Sequence, residues 1–402
     1  QINWLMLYAR HMRKVKMHDF MFYTPTRVFF GKNALSYLGT ALQERRASRV
    51  LLHFGGHSAL SCGLIEQIEA QLREVKISSV RLGGVLPNPR IELVREGITL
   101  CKKENIDFIL AVGGGSVIDS AKSIGMGLAN EKDPWEMISG NSMPQKHFPL
   151  GCVLTIAAAG SEMSNSHVIT NGVYKRSLNH DLLRPDVAFL NPELTYTVPR
   201  FQTGCGTVDI MMHTLERFFT QDAAVQPTDA IALSLLKQVK IFGEIAAEEP
   251  QNYEARAALM WASSLSHNGL TGCGKNTLFP VHKLEHDFSG LYDVAHGAGL
   301  SVLFPAWAQY IYSYDIPRFA ALAREVFGVC EQQDEAAAVQ GIRQMKTFFR
   351  KIGMPVTMAE LGIDEKDFYK IADMTTDSGG KTILSYIPLK KEDILKIYQL
   401  AK

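Results

Sequence analysis

An α/β half followed by an all-helical half is the fold class this sequence predicts. Three observations carry it. Short apolar runs alternate with segments of helical period up to about residue 195. One of those runs ends in three consecutive glycines, and after Pro199 helical spacing takes over to the C-terminus.

Taken in order, Arg49–Phe54 reads as a strand ending at Gly55-Gly56. Residues 60–74 read as a helix, with Ile65, Ile68 and Leu72 on one face. Residues 78–82 form a short strand stopped by Gly83-Gly84, and 91–103 form a helix. Residues 106–112 are a buried strand entering Gly113-Gly114-Gly115, and a helix over 117–128 follows. Strands at 151–155 and 187–190 complete a βαβ rhythm, which calls for a parallel, doubly wound sheet. Beyond Pro199, helical patterns cover 228–243, 255–265, 305–312 and 334–352. The expected division is an N-terminal extension at 1–16, an α/β dinucleotide-binding domain at 17–197 and a helical domain at 198–402. There are no internal repeats or low-complexity tracts.

Composition narrows the function. The 402 residues are 46% hydrophobic and 21% charged, a globular balance with room for two cores. A net charge of +1 provides no field to hold nucleic acid or an acidic membrane surface. The six cysteines are scattered without a C-x-x-C pair, which points to free thiols in a reducing cytoplasm. No apolar run reaches the ~18 residues of a membrane span. In residues 1–16 the apolar stretch Trp4–Tyr8 precedes the basic stretch Arg10–Lys16, the reverse of a secretory signal. Met17 is a plausible natural start, with a short interaction arm as the other reading of what precedes it.

The chemistry concentrates in the second half. Asp209 and His213 are four residues apart, so on a helix they share a face; His282 and His286 repeat that spacing. A carboxylate with several imidazoles suits one divalent ion such as Fe²⁺ or Zn²⁺. His296 lies fourteen residues past His282, roughly 21 Å along a straight helix, so the chain must turn back. Ser289-Gly290 can stop a helix and His296-Gly297 can open the next. Any one of these histidines alone is more readily a solvated or satisfied side chain than a ligand; the set is what points to a metal.

A second motif is Ala111-Val-Gly113-Gly114-Gly115-Ser116-Val-Ile-Asp119-Ser-Ala-Lys122. Glycines between a buried strand and a helix let the backbone approach a pyrophosphate, and the helix N-terminus holds the anion. The plainer alternative is a tight turn with Ser116 as N-cap. A third cluster, Thr155 to Glu162, is rich in small residues that admit a flat ring or a phosphate; its plainer reading is a loop with Ser161 capping a helix.

Together these motifs resemble the iron-containing (group III) alcohol dehydrogenases, nearest the butanol dehydrogenase branch, from about Met17 to Lys402. Phe30-Gly31-Lys32, the Gly-Gly-Gly-Ser-x-x-Asp-x-x-Lys loop, Asn191–Thr197, Val208-Asp209-x-x-x-His213-Thr214 and His282-x-x-Glu285-His286 with Tyr292-Asp293-Val-Ala-His296-Gly297 all fit. The spacing leaves His282 and His286 as alternatives; the resemblance implies Asp209, His213, His282 and His296 as metal ligands and His286 beside the nicotinamide. It also implies a dehydroquinate synthase-like architecture, a homodimer, and hydride transfer between NAD(P)H and a primary aldehyde or alcohol of the butanal/butanol kind. One departure is Ala159, where the family usually has Thr, so a hydroxyl is absent beside the cofactor segment. A metal- and NAD-dependent cyclase of the dehydroquinate synthase kind shares the architecture but needs Lys and Arg near the metal. The metal-site segments carry few, and Met211, Met212 and Leu215 read as an apolar lining. A cofactor-binding protein without activity would not need the full ligand set.

Cofactor choice is read at the turn after Arg49–Phe54. NAD-selective dinucleotide folds commonly place an acid at such a strand end, where it bonds the ribose 2′-hydroxyl and repels a 2′-phosphate. Here the turn is Gly55-Gly56-His57-Ser58, with no carboxylate. The expected preference is NADP(H) over NAD(H), the phosphate being met by His57, Ser58 and backbone N–H groups. Expected cofactor contacts are therefore Gly55, Gly56, His57, Ser58, Gly113, Gly114, Gly115, Ser116, Asp119 and Thr155.

Overall fold

The computed structural model describes residues 17–56 and 58–402. The expected extension at 1–16 and His57 lie outside the described residues. Among the described residues there are eight strands: β1 Arg27–Phe30, β2 Arg49–Phe54, β3 Ser78–Leu82, β4 Phe108–Gly113, β5 Leu150–Leu154, β6 Ser166–Asn171, β7 Tyr174–Asn179 and β8 Val187–Leu190. Six of them form one sheet in the order β1-β8-β5-β4-β2-β3, every pair parallel. β6 and β7 pair as a separate antiparallel hairpin.

Strand composition explains the layering. Every residue of β4 is buried, because helices cover both faces of a parallel sheet. Alternate side chains then enter two cores. Ile109 and Ala111 face one with Leu51 and Ala188; Phe108, Leu110 and Val112 face the other with Val50, Leu52 and Phe189. Helices α1 Leu38–Glu44, α2 Ser58–Ser61 and α3 Leu64–Glu74 belong to the second face, and α4 Ile91–Glu104 and α5 Gly115–Asn130 to the first. The chain leaves β2 toward β3 on one face and leaves β4 toward β5 on the other. The turns after β2 and β4 thus flank a topological switch point, where open sheets of this kind bind ligands. The helix expected over 60–74 is split, since Gly63 adopts φ +74 between α2 and α3.

After the short helix α6 Pro134–Ile138 and the last strand, the chain is helical: α7 Arg200–Phe218, α8 Gln226–Glu248, α9 Tyr253–His267, α10 Pro280–Tyr292, α11 His296–Ile311, α12 Ile316–Phe327, α13 Asp334–Lys351, α14 Phe368–Thr375 and α15 Lys391–Leu400. One large core joins α7 to α11 and the helices after them. Ser289-Gly290 does not end α10 as expected; the helix runs to Tyr292 and stops at Asp293, in the left-handed region at φ 51. Gly290 stays helical because the β6–β7 hairpin packs there: a β-carbon on it would lie 2.9 Å from the Val173 carbonyl. Among the described residues no helix is long and apolar enough to cross a membrane.

Candidate metal centre and cofactor cleft

α7 presents Asp209 and His213 one turn apart, α10 presents His282, and α11 begins at His296. Gly297 lets α11 start against α7, since any β-carbon there would sit 2.2 Å from the Cys205 carbonyl. That contact brings His296 back to Asp209. Three imidazole Nε2 atoms converge on one oxygen, Asp209 Oδ1: His213 at 3.2 Å, His296 at 3.8 Å and His282 at 3.9 Å. Asp209, His213 and His282 form the tight group, with one ligand atom of each within 4.8 Å of the others. His296 is within reach of Asp209 but groups more closely with Glu285 and His286.

Two carboxylates not assigned from the sequence fix the imidazoles. Glu216 accepts from His282 Nδ1 and from the backbone N–H groups of Val281 (2.6 Å) and His282 (3.2 Å). Glu285 accepts from His296 Nδ1 at 2.6 Å. With Nδ1 donating, a neutral ring turns its Nε2 lone pair inward. Glu216 is seven residues from Asp209, two helical turns on the same face, and that spacing was the available signal. Nothing in the sequence marks His267, whose ring lies 3.8 Å from that of His213, or Lys175, 3.6 Å from Glu285.

The electrostatics fit a cation. Burial opposes ionisation of Asp209, but the surrounding imidazoles outweigh it and hold its carboxyl well below the usual range. Burial lowers His213 to about 3. Burial also works against a charge on His282, but Glu216 and Asp209 raise it to about 9. Asp209 Oδ1 and His282 Nε2 are buried without a hydrogen-bond partner, facing the same point. Buried polar atoms left unpaired beside a carboxylate are costly, and a divalent ion relieves that cost.

The centre opens into a cleft of about 1040 Å³ that reaches the sheet. Gly55, Ser58, Gly113, Gly114, Gly115, Ser116, Asp119, Thr155 and His286 all line it; Gly56 does not. The N-cap of α5 is Gly114, not Ser116, and no side chain caps that helix end. Its first N–H groups are left for an anion. Asp119 is held internally, accepting from Ser161 Oγ (2.6 Å) and the Val168 N–H (2.9 Å), so it braces the loop after β5. Ser161 caps no helix; Lys122 Nζ donates to it at 2.9 Å. Ala159 faces Gly115, whose β-carbon would lie 3.1 Å from it. The expected apolar lining is not found: Met211, Met212 and Leu215 point from α7 into the helical core. Lys175, Arg217 and Lys283 line the cleft instead. Arg217 is spent on the His213 and Ser266 carbonyls, and Lys175 on Glu285 and Ser289, so neither is a free cation of the kind a cyclase needs near its metal.

Fold and site define a metal-dependent, dinucleotide-linked oxidoreductase. The iron-containing alcohol dehydrogenase family model matches residues 25–192 and the C-terminal model of the Fe-containing alcohol dehydrogenase family matches 203–402. The chain belongs to this family and is an alcohol dehydrogenase of the iron type. It is 38% identical to NADH-dependent butanol dehydrogenase A of Clostridium acetobutylicum, over 95% of this chain and 99% of that one. It is 32% identical to the NADPH-dependent aldehyde reductase of Escherichia coli, over 87% and 90%. The crystal structure of NADH-dependent butanol dehydrogenase A from Thermotoga maritima superposes with a TM-score of 0.92 at 34% identity, covering 96% of this chain and 99% of that one.

Proposed function

We propose that the chain interconverts aldehydes and primary alcohols of about the size of butanal and butanol, using NADP(H) in preference to NAD(H). We assign Asp209, His213, His282 and His296 as ligands of one divalent ion. The observation that carries this is the convergence of three Nε2 atoms on Asp209 Oδ1, with the tautomers of His282 and His296 fixed from behind by Glu216 and Glu285. When bound, the metal supplies Lewis acidity toward a carbonyl oxygen and the nicotinamide supplies hydride. Fe²⁺ and Zn²⁺ both suit the donors, and Zn²⁺ is the tighter of the two by the usual affinity order.

The chain's own residues do the rest. Gly113, Gly114 and Gly115 admit the pyrophosphate to the uncapped end of α5, while Thr155 and Asp119 shape the floor beside it. Burial, and then the charge of Lys175, hold His286 well below the usual imidazole range. A neutral ring 5.9 Å from that of His296 can take up or give a proton at the cleft wall beside the substrate oxygen. For cofactor choice the support is Gly55: its β-carbon would have only ordinary contacts, 3.5 Å from the Val85 carbonyl, and no acid stands on the turn. Relatives divide on this point, the Clostridium protein being named for NADH and the Escherichia protein for NADPH. We place the domain boundary at 197/198, between β8 and α7. The open edge of β1, beside exposed Phe30 and Tyr37, supports a homodimer, and six unpaired thiols support a reducing cytoplasm.

Steady-state kinetics with butanal and either cofactor test this reading, beside metal analysis of His213→Ala. The expected result is a higher kcat/KM with NADPH and loss of both metal and turnover in the variant. Equal or better kcat/KM with NADH would overturn the cofactor assignment, and full metal occupancy in His213→Ala the ligand assignment.

A further inference from the structure

Residues 17–26 precede β1 and belong to no helix or strand, yet both ends of the segment are tied down. The His18 backbone N–H donates to the Gly274 carbonyl at 3.1 Å, and its Nε2 lies 2.8 Å from Asp222 and 3.1 Å from Asn276. Met17 packs over Gly274 so closely that a β-carbon there would meet its Cγ at 2.7 Å. At the other end Thr26 Oγ1 donates to the Pro185 carbonyl at 2.6 Å, and Arg27 enters the sheet. The segment is therefore a strap from the helical half to the sheet half, and Phe20, Met21 and Tyr23 line the cleft it crosses.

These side chains are large, apolar and wet: Phe20 is 52% exposed, Met21 78% and Tyr23 49%. Clustered apolar surface at a cleft mouth has contact area to offer a ligand. The anchor sits at the metal end. Asn276 is three residues from Phe279, at most about 10 Å of chain, and the Phe279 ring lies 5.2 Å from that of His282. Leu278 and Phe279 line the same cleft. The phosphate-binding turns are on β2 and β4 instead, so the apolar wall falls to the substrate.

We propose that the strap forms the wall that receives the substrate's carbon tail, with Phe20 and Met21 as the residues that select unbranched aliphatic aldehydes and alcohols over short or polar ones. This rests on the alcohol dehydrogenase reading above. Each methylene buried there contributes about fourfold to kcat/KM, and a hydroxylated tail of equal length forfeits that gain.

The test measures kcat and KM for ethanal, butanal and hexanal in the unaltered enzyme and in Phe20→Ser, Met21→Ser, Phe22→Ser and His18→Ala. Phe20→Ser and Met21→Ser should each lower the hexanal-to-ethanal ratio of kcat/KM about tenfold, chiefly through KM, and Phe20→Leu should restore it. His18→Ala, which cuts the anchor and keeps both side chains, should lower the ratio too. Phe22 is on the same strap but does not line the cleft, so Phe22→Ser should keep the ratio. An unchanged ratio in the Phe20→Ser/Met21→Ser double variant overturns the assignment. An unaltered enzyme that reduces no aldehyde overturns the dehydrogenase reading itself, and the strap's role with it.

Discussion

Replacing Glu216 by Gln should loosen the metal without touching a ligand. Glu216 is 1% exposed and accepts three N–H groups, from Val281, from the His282 backbone and from His282 Nδ1. Gln keeps the shape and one acceptor oxygen. If that oxygen keeps the Val281 N–H, the amide nitrogen faces His282 as a donor. His282 Nδ1 must then accept, which leaves the neutral ring's proton on Nε2, the atom that faces Asp209 and must offer a lone pair to bind a metal. The buried mismatch at the His282 N–H costs about 1–3 kcal/mol, and loss of such an orienting partner typically lowers metal affinity 10–100-fold. The assay is metal content at graded free Zn²⁺, set by chelator buffers, with butanal turnover measured on the same samples. We expect the binding curve to shift by one to two decades and turnover to follow occupancy. Unchanged affinity in Glu216→Gln would show that Glu216 does not orient His282.

Other outcomes follow from the same geometry. In the cation-free enzyme His282 keeps its proton up to about pH 9, because Glu216 and Asp209 outweigh its burial. The stability this proton adds is complete below the unfolded pKa of about 6.5 and is lost as pH rises through about 9. Metal uptake must release that proton, so affinity should rise about tenfold per pH unit between pH 7 and 8; a flat profile by competition titration would contradict it. His286→Ala should retain stoichiometric metal but lower kcat or shift its pH profile, and metal loss there with retention in His282→Ala would exchange their roles. Gly55→Asp should lower kcat/KM for NADPH at least about 100-fold relative to NADH, since it sets a carboxylate against a 2′-phosphate; an unchanged cofactor ratio would place the 2′ position elsewhere.

Local pattern made much of this molecule legible. β2, β4 and their glycine turns could be read from composition and period, because a strand buried on both faces must be apolar throughout and a backbone that meets phosphate must lack side chains. Asp209 and His213 could be paired because helical geometry fixes an i,i+4 neighbour without help from the rest of the chain. Other features had no local cause. β6 and β7, with Lys175 among their residues, were invisible because that hairpin is justified by α10, more than a hundred residues away. Ser289-Gly290 reads as a helix stop because glycine alone weakens a helix, whereas in the fold the missing β-carbon of Gly290 is what lets the hairpin carbonyl approach. Met211, Met212 and Leu215 could not be placed on the core side of α7 until α8 and α11 were in position around it. Spacing alone likewise leaves His282 and His286 as alternatives. Sequence supplies the donor atoms, but how the His282 and His296 rings are turned is set by Glu216 and Glu285, buried carboxylates whose hydrogen bonds exist only once three helices have met.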